Sequence, residues 1–125
     1  MRVASVDQGF VGASPRSVYG LLAEPSGYGT WWPGTSEGIR LGGRRPLRAR
    51  ADGHRPELGV TLHVEGDLTG TLEWYLEAFE EGTIINAILN LEVPGGARRS
   101  ERRLLRARAD LRRAIVGLKE ALEPR

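Results

Sequence analysis

The chain has 125 residues, no cysteine, and a formal charge of +2 from 18 basic and 16 acidic side chains. That length supports one domain, 1–125, with a real core, and the lack of cysteine excludes disulfide scaffolds, thiolate metal sites and cysteine nucleophiles. Arginine supplies 17 of the basic groups against the single Lys119, and the sequence pI is about 9.5. The opening MRVASVDQGF holds no apolar run, so neither a signal peptide nor a membrane span is expected, and a soluble cytoplasmic protein is the expectation. Charge comes in blocks. Residues 40 to 55 carry six Arg and one Asp, residues 56 to 97 carry eight acids and no Lys or Arg, and residues 98 to 125 carry ten basic and four acidic groups. Such blocks pair most simply with one another, across a sheet or between sheet and helix. No specific nucleic-acid partner is therefore expected.

Val3, Val6, Phe10 and Val11 predict a first strand with imperfect alternation. Ser14 is a good N-cap and Pro15 suits the first helical position, with Val18, Leu21 and Leu22 on one face. After Pro25 a second short helix is expected through Tyr28 and Trp31, stopped by Pro33-Gly34. The period then changes to two. Leu47-Ala49-Ala51, Leu58-Val60-Leu62-Val64, Leu72-Trp74-Leu76-Ala78 and Ile85-Ala87-Leu89-Leu91-Val93 each predict a half-buried strand. DGHRP, EGDLTG and EEGT read as turns. Pairing Ala78 with Ile85 sets Leu76 opposite Ala87 and Trp74 opposite Leu89, all on one face. From Ala97 to about Leu122 the stripe Leu104, Ala107, Leu111, Ile115, Leu118 and Leu122 predicts one long helix.

The fold class is thus α+β: a strand, two short helices, an antiparallel meander and a long helix. The meander offers about sixteen apolar side chains and the helix about six. One helix cannot cover that face, so the sheet must curl and a hollow is expected. Trp31 and Trp32 lie in the remaining segment available as a cover. Helical neighbours diverge by roughly 100°, so one ring is expected to plug the core and the other to guard an opening.

This order, with Ser14-Pro15 and Val18 opening the first helix, Tyr28 with Trp31-Trp32-Pro33, the GDLTGT stretch from Gly66 to Thr71 before Trp74, Gly82-Thr83 and the long last helix, resembles the START-like, helix-grip superfamily, also called SRPBCC, with its polyketide cyclase/dehydrase-like branch. The resemblance implies a curved sheet gripping the C-terminal helix around a hydrophobic cavity. The stretch from Pro33 to Gly66 leaves room for two or three strands, so one strand of that pattern is expected to be missing or abbreviated.

The expected ligand-binding residues are Tyr28, Trp31, Trp32, Leu62, Trp74, Ala87, Leu89, Arg108, Leu111 and Ile115. Aromatic residues are expected in the core as well as against a ligand. Arg108 falls beside the apolar helix stripe and could meet a carboxylate or phenolate. The arginines at 98, 99, 102, 103, 106, 108, 112 and 113 otherwise read as a solvated face answering the acidic strands. Tyr75, Asn86 and Asn90 fall on the opposite, solvated face by parity. His54 and His63 have no ligand-spaced neighbours, GIRLGG at 38 to 43 lacks the context of a phosphate loop, and no catalytic set or cofactor motif is legible. The expected function is binding or transport of a small hydrophobic molecule, lipid- or polyketide-like. The alternatives are a polyketide cyclase/dehydrase-type enzyme and a structural or regulatory partner-binding domain.

Overall fold

A computed structural model describes residues 1–124. The elements run β1 (Arg2–Val11), α1 (Pro15–Leu22), a 3-10 turn (Pro25–Thr30), β2 (Arg48–Arg55), β3 (Gly59–Glu65), β4 (Thr69–Phe79), β5 (Gly82–Glu92) and α2 (Ala97–Leu122). The strands form one antiparallel sheet in the order β1-β5-β4-β3-β2, so β1 and β2 are its edges. The sheet curls around the helices, and the expected α+β architecture is the one observed.

Ser14 caps α1 as expected, its hydroxyl accepting from the Ser17 N–H at 3.2 Å. In β1 the alternation resolves into two faces. Val3 and Val11 point to the concave side, where Gly9 meets Ile115 of α2, while Val6 and Phe10 point outward. Two strands occupy the stretch from Pro33 to Gly66, and the Ile39–Leu47 bridge is all that pairs before them.

Three local expectations change. The β4–β5 register is Leu76 opposite Ile85, Trp74 opposite Ala87 and Leu72 opposite Leu89, two residues from the expected pairing. The reason is a tighter turn: Phe79 already pairs with Gly82, leaving only Glu80 and Glu81 between, with Glu80 at φ 52. A shift of two keeps every side chain on its face. DGHRP is mostly strand, since β2 runs to Arg55 through an irregularity between Ala51 and Gly53. The turn falls at Pro56-Glu57-Leu58 instead, which leaves Leu58 exposed, not inward. The helix expected through Trp31 is a 3-10 turn that ends at Thr30.

α2 lies along β1 and buries two stripes. Leu104, Ala107, Leu111, Ile115 and Leu118 belong to the expected apolar one. Ser100, Arg103, Ala107, Asp110, Ala114 and Gly117 form a second, spaced by three and four and facing the segment 31–46. Small residues there let backbone approach the helix. A Cβ on Gly117 would overlap the Trp31 carbonyl oxygen, and Gly42, at φ +75, rests against Arg103 and Ala107.

That contact answers the area mismatch. The concave face that α2 leaves open is covered by α1 and by Tyr28, Trp31, Trp32, Ile39, Leu41 and Leu47, all buried in one core with Leu68 of the β3–β4 turn. The apolar side chains of 39 to 47 belong to neither the sheet nor the helix, yet they add to the cover. This segment lies over the part of the concave face where a hollow is expected.

The charge blocks pair across the sheet, one of the two expected ways, but the helix arginines do not answer the acidic strands. α2 packs on the concave face, so its solvent side points away from the acidic strands. Of its eight arginines only Arg103 meets an acid of the 56–97 block, Asp67, at 3.0 Å. Arg108 pairs with Asp7 of β1 and Arg113 with Asp110 one helical turn away. The acidic strands pair instead with β2, as in Arg48–Glu65 and Arg55–Glu73.

Candidate ligand-binding interior

Four aromatic rings meet at the centre of the concave face. The Tyr28 ring lies 4.5 Å from Trp31 and 6.1 Å from Trp32, the two indoles are 5.8 Å apart, and Trp74 of β4 meets both edge-on at 6.4 and 6.2 Å. Such tilted and edge-on contacts are the favoured aromatic geometries. Trp31 and Trp32 are 5% and 1% exposed, so neither ring guards an opening. The physical reason is backbone conformation. Trp31 caps the 3-10 turn at φ −136, outside any helix, so the helical divergence of neighbours does not apply and both rings turn toward Trp74.

Trp74 faces Val60 on one side and Ala87 on the other, and Leu62 and Leu89 flank Leu72 one pair further along. Leu111 and Ile115 enter the same core from α2. The structure thus brings together nine of the ten expected residues. Arg108 stands apart: its guanidinium donates to both carboxylate oxygens of Asp7 at 3.0 and 3.1 Å, and this hydrogen-bonded carboxylate raises its pKa further. A nearby carboxylate on β1 captured it, and parity alone could have placed Asp7 on the concave face.

The polar groups of this interior are few. The Tyr28 hydroxyl donates to the Leu22 carbonyl at 2.7 Å, and burial pushes its pKa far up, so the phenol stays neutral; the Trp74 side chain opposes that rise. The indole N–H of Trp31 is buried and reaches no acceptor among the described residues, and the buried indole N–H of Trp74 meets the Tyr28 hydroxyl only loosely, short of hydrogen-bond geometry. A buried donor left unpaired costs about 1–3 kcal/mol. Both indole donors sit in one cluster of four rings.

Asn86 is not solvated as expected. On the convex face it accepts from Gln8 Nε2 at 2.6 Å and donates to Glu77 at 2.9 Å, while Tyr75 and Asn90 stay exposed. His63 pairs with Asp52 at 2.8 Å and His54 meets the Tyr19 hydroxyl at 3.1 Å, both at the surface. Among the described residues no three His, Asp or Glu side chains converge on a possible metal position. No helix is long and apolar enough to cross a membrane.

Sequence reasoning missed the buried pair on the other flank of α2. Arg103 is 8% exposed, donates Nε–H to the Gly42 carbonyl at 2.5 Å and pairs with Asp67. Asp110 accepts from the Gly42 N–H at 2.9 Å and from Arg113 at 3.0 Å. The available signal was the small-residue spacing Ala107, Ala114, Gly117, continuous with both charges.

No protein-family model matches the chain, and no curated protein matches it in sequence. Solved structures do match in shape. The Aha1 dimer from Colwellia psychrerythraea superposes with a TM-score of 0.71 at 18% identity, covering 97% of this chain and 96% of that one. The KanY protein matches with a TM-score of 0.72 at 13% identity, covering 99% of each chain. Ara h 8.0201 matches with a TM-score of 0.71 at 9% identity, covering 97% of each. The chain therefore has a helix-grip fold, the one that the sequence resemblance implies. Identities this low speak for the fold alone.

Proposed function

We propose that the protein binds a small hydrophobic molecule carrying a hydrogen-bond acceptor, in the interior between the sheet, α2 and the segment 25–46. The observation that carries this reading is the pair of buried indole N–H groups, the one on Trp31 unpartnered and the one on Trp74 only loosely engaged by the Tyr28 hydroxyl, inside an otherwise apolar cluster. A ketone or hydroxyl oxygen on an apolar body satisfies both needs of such a site, apolar contact and one or two placed polar groups. The ligand enters by displacing the Trp31-Trp32 segment, which belongs to none of the five strands and whose Ile39–Leu47 bridge closes the chain on itself outside them. The Tyr28 hydroxyl is engaged by the Leu22 carbonyl and the Trp74 side chain, and its phenol is neutral, which favours binding over acid–base catalysis.

The test compares Trp31→Ala with Trp32→Ala. Trp32, the more buried ring, should lose about 3–5 kcal/mol of stability. Trp31→Ala should instead weaken binding of a hydrophobic fluorescent probe in the folded fraction. Native mass spectrometry of the purified protein should reveal a co-purified molecule. Loss of stability alone in both variants, with probe binding unchanged, refutes the reading.

A second reading, a partner-docking domain, draws on the convex face. Val6 is 61% exposed on the edge strand β1, and the exposed rings of Phe10 and Phe79 meet edge-on at 6.4 Å beside it. The fitting occupant is a second copy of the chain paired along β1, and the Colwellia neighbour is itself described as a dimer. Sedimentation of wild type as a dimer and of Val6→Lys as a monomer supports it. A monomeric wild type refutes it.

A further inference from the structure

We infer that the groove between α2 and the 42–46 segment is a binding site for a small oligophosphate, a ligand with several phosphate groups in a chain. The groove has a volume of about 430 Å³ and continues past Arg44 and Arg106 into a second hollow of about 490 Å³ along the same helix. Arg44, Arg45, Arg99, Arg102 and Arg106 line the first hollow. None of these five enters an ion pair among the described residues. Arginines 99, 102 and 106 follow one another at spacings of three and four, so they share a helix face and span about 10 Å.

The wall of the groove is built. Arg103, buried, is held by the Gly42 carbonyl and by Asp67, and two of its five N–H donors are committed there. Asp110 fixes the same segment through the Gly42 N–H. These contacts hold the 42–46 segment against α2 and bring Arg44 and Arg45 opposite Arg99, Arg102 and Arg106. Five like charges around one groove repel each other, and an anion relieves that repulsion. Guanidinium forks suit phosphate oxygens, which they bind in pairs of hydrogen bonds.

The chemistry narrows the ligand. No aromatic side chain lines the groove, so no platform exists for stacking a nucleobase. A single phosphate engages one or two guanidinium groups, whereas a phosphate chain engages arginines spaced along 10 Å of helix at once. The site recognises a chain of phosphates and ignores what is attached to its end. It lies on the flank of α2 away from the aromatic interior and does not depend on a ligand there.

The test is calorimetric titration of inorganic tripolyphosphate into the full chain at physiological salt, with thermal melting alongside. Tripolyphosphate should bind and raise the melting temperature. Orthophosphate should bind at least about tenfold more weakly, and Arg102→Gln/Arg106→Gln should weaken tripolyphosphate about a hundredfold, two charge-assisted contacts being lost. The substituted positions are exposed, so the variant should keep its circular dichroism spectrum and bind the hydrophobic probe normally. Absence of tripolyphosphate binding, or equal binding by the double variant, overturns the assignment. Tighter binding of a single-stranded RNA 20-mer or of anionic lipid vesicles, abolished by the same variant, also overturns it, because the occupant is then a polymer or a surface.

Discussion

The two flanks of α2 bury opposite chemistry. Toward the sheet, Leu111, Ile115 and Leu118 join an apolar core centred on four aromatic rings, and that region leaves the indole donor of Trp31 unpaired and that of Trp74 only loosely met by Tyr28. Toward the 31–46 segment, Arg103 and Asp110 are buried just as deeply, yet both are tied to the backbone of Gly42 and to a charged partner. Buried polar groups are normally paired, and unpaired ones ask for a reason. On the charged flank both buried charges are paired, and only the Ser100 hydroxyl is buried there without a partner among the described residues. On the aromatic flank the poorly paired groups are two indole donors facing one another's rings, and the proposed hydrophobic ligand is assigned to that flank for this reason.

The strongest way to break this comparison is to separate the segment from the helix. Gly117→Ala places a Cβ 1.8 Å from the Trp31 carbonyl oxygen and should cost at least about 3 kcal/mol, since backbone and not a flexible side chain must give way. Chemical denaturation measures it. A cost within the ordinary surface range shows that the segment is not fixed to α2.

Next comes the charged flank. Arg103→Met strands the Gly42 carbonyl and removes the partner of Asp67, which is about one-third exposed, so a loss of about 2 kcal/mol is expected. Arg103→Lys should recover only part of it, because an ammonium lacks the fork that reaches both partners. Full recovery with lysine means that charge alone matters there.

Tyr28→Phe should cost about 1 kcal/mol, the hydrogen bond to the Leu22 carbonyl. It also has a pH signature. Burial raises the phenol above its ordinary value of 10.0, so the folded state holds its proton where the unfolded state releases it. That stabilisation is fully present below pH 10.0 and declines as pH rises past it. The wild-type stability curve should therefore fall more steeply above that point than the curve of Tyr28→Phe, and parallel curves would place Tyr28 in water. The smallest effect belongs to the convex face. Arg48 and Glu65 pair at 3.4 Å with both side chains well exposed, so Arg48→Ala should change stability by less than about 0.5 kcal/mol.

The strand and helix periods made the architecture legible. Alternation marked the concave faces of β3, β4 and β5, and the 3.6-residue stripe marked α2. Three things were not legible, each for a physical reason. The hairpin register depended on Glu80 taking a left-handed conformation, which glutamate rarely does. The filling of the concave face depended on Ile39, Leu41 and Leu47, apolar residues without a period because they lie in irregular chain. The fate of the arginines depended on which side of the sheet α2 packs, and block charges carry no information about sides. Of the residues expected to line the interior, those on β3, β4, β5 and α2 follow from their faces, Tyr28, Trp31 and Trp32 lie in the core despite the missing helix, and Arg108 pairs instead with Asp7, 101 positions away in sequence.

The central claim concerns two N–H groups, and these can be observed one by one. The three tryptophans of the chain give three indole N–H signals in a nitrogen-15 correlation spectrum. Titration with 2-acetonaphthone, compared with 2-ethylnaphthalene, presents the same apolar body with and without a carbonyl acceptor. The account predicts that the ketone binds more tightly and moves the Trp31 and Trp74 indole protons downfield, as a new hydrogen bond requires, while Trp32 changes little and the hydrocarbon produces no such shift. Saturating ketone that leaves both indole signals in place, or a hydrocarbon that binds equally well, would contradict it.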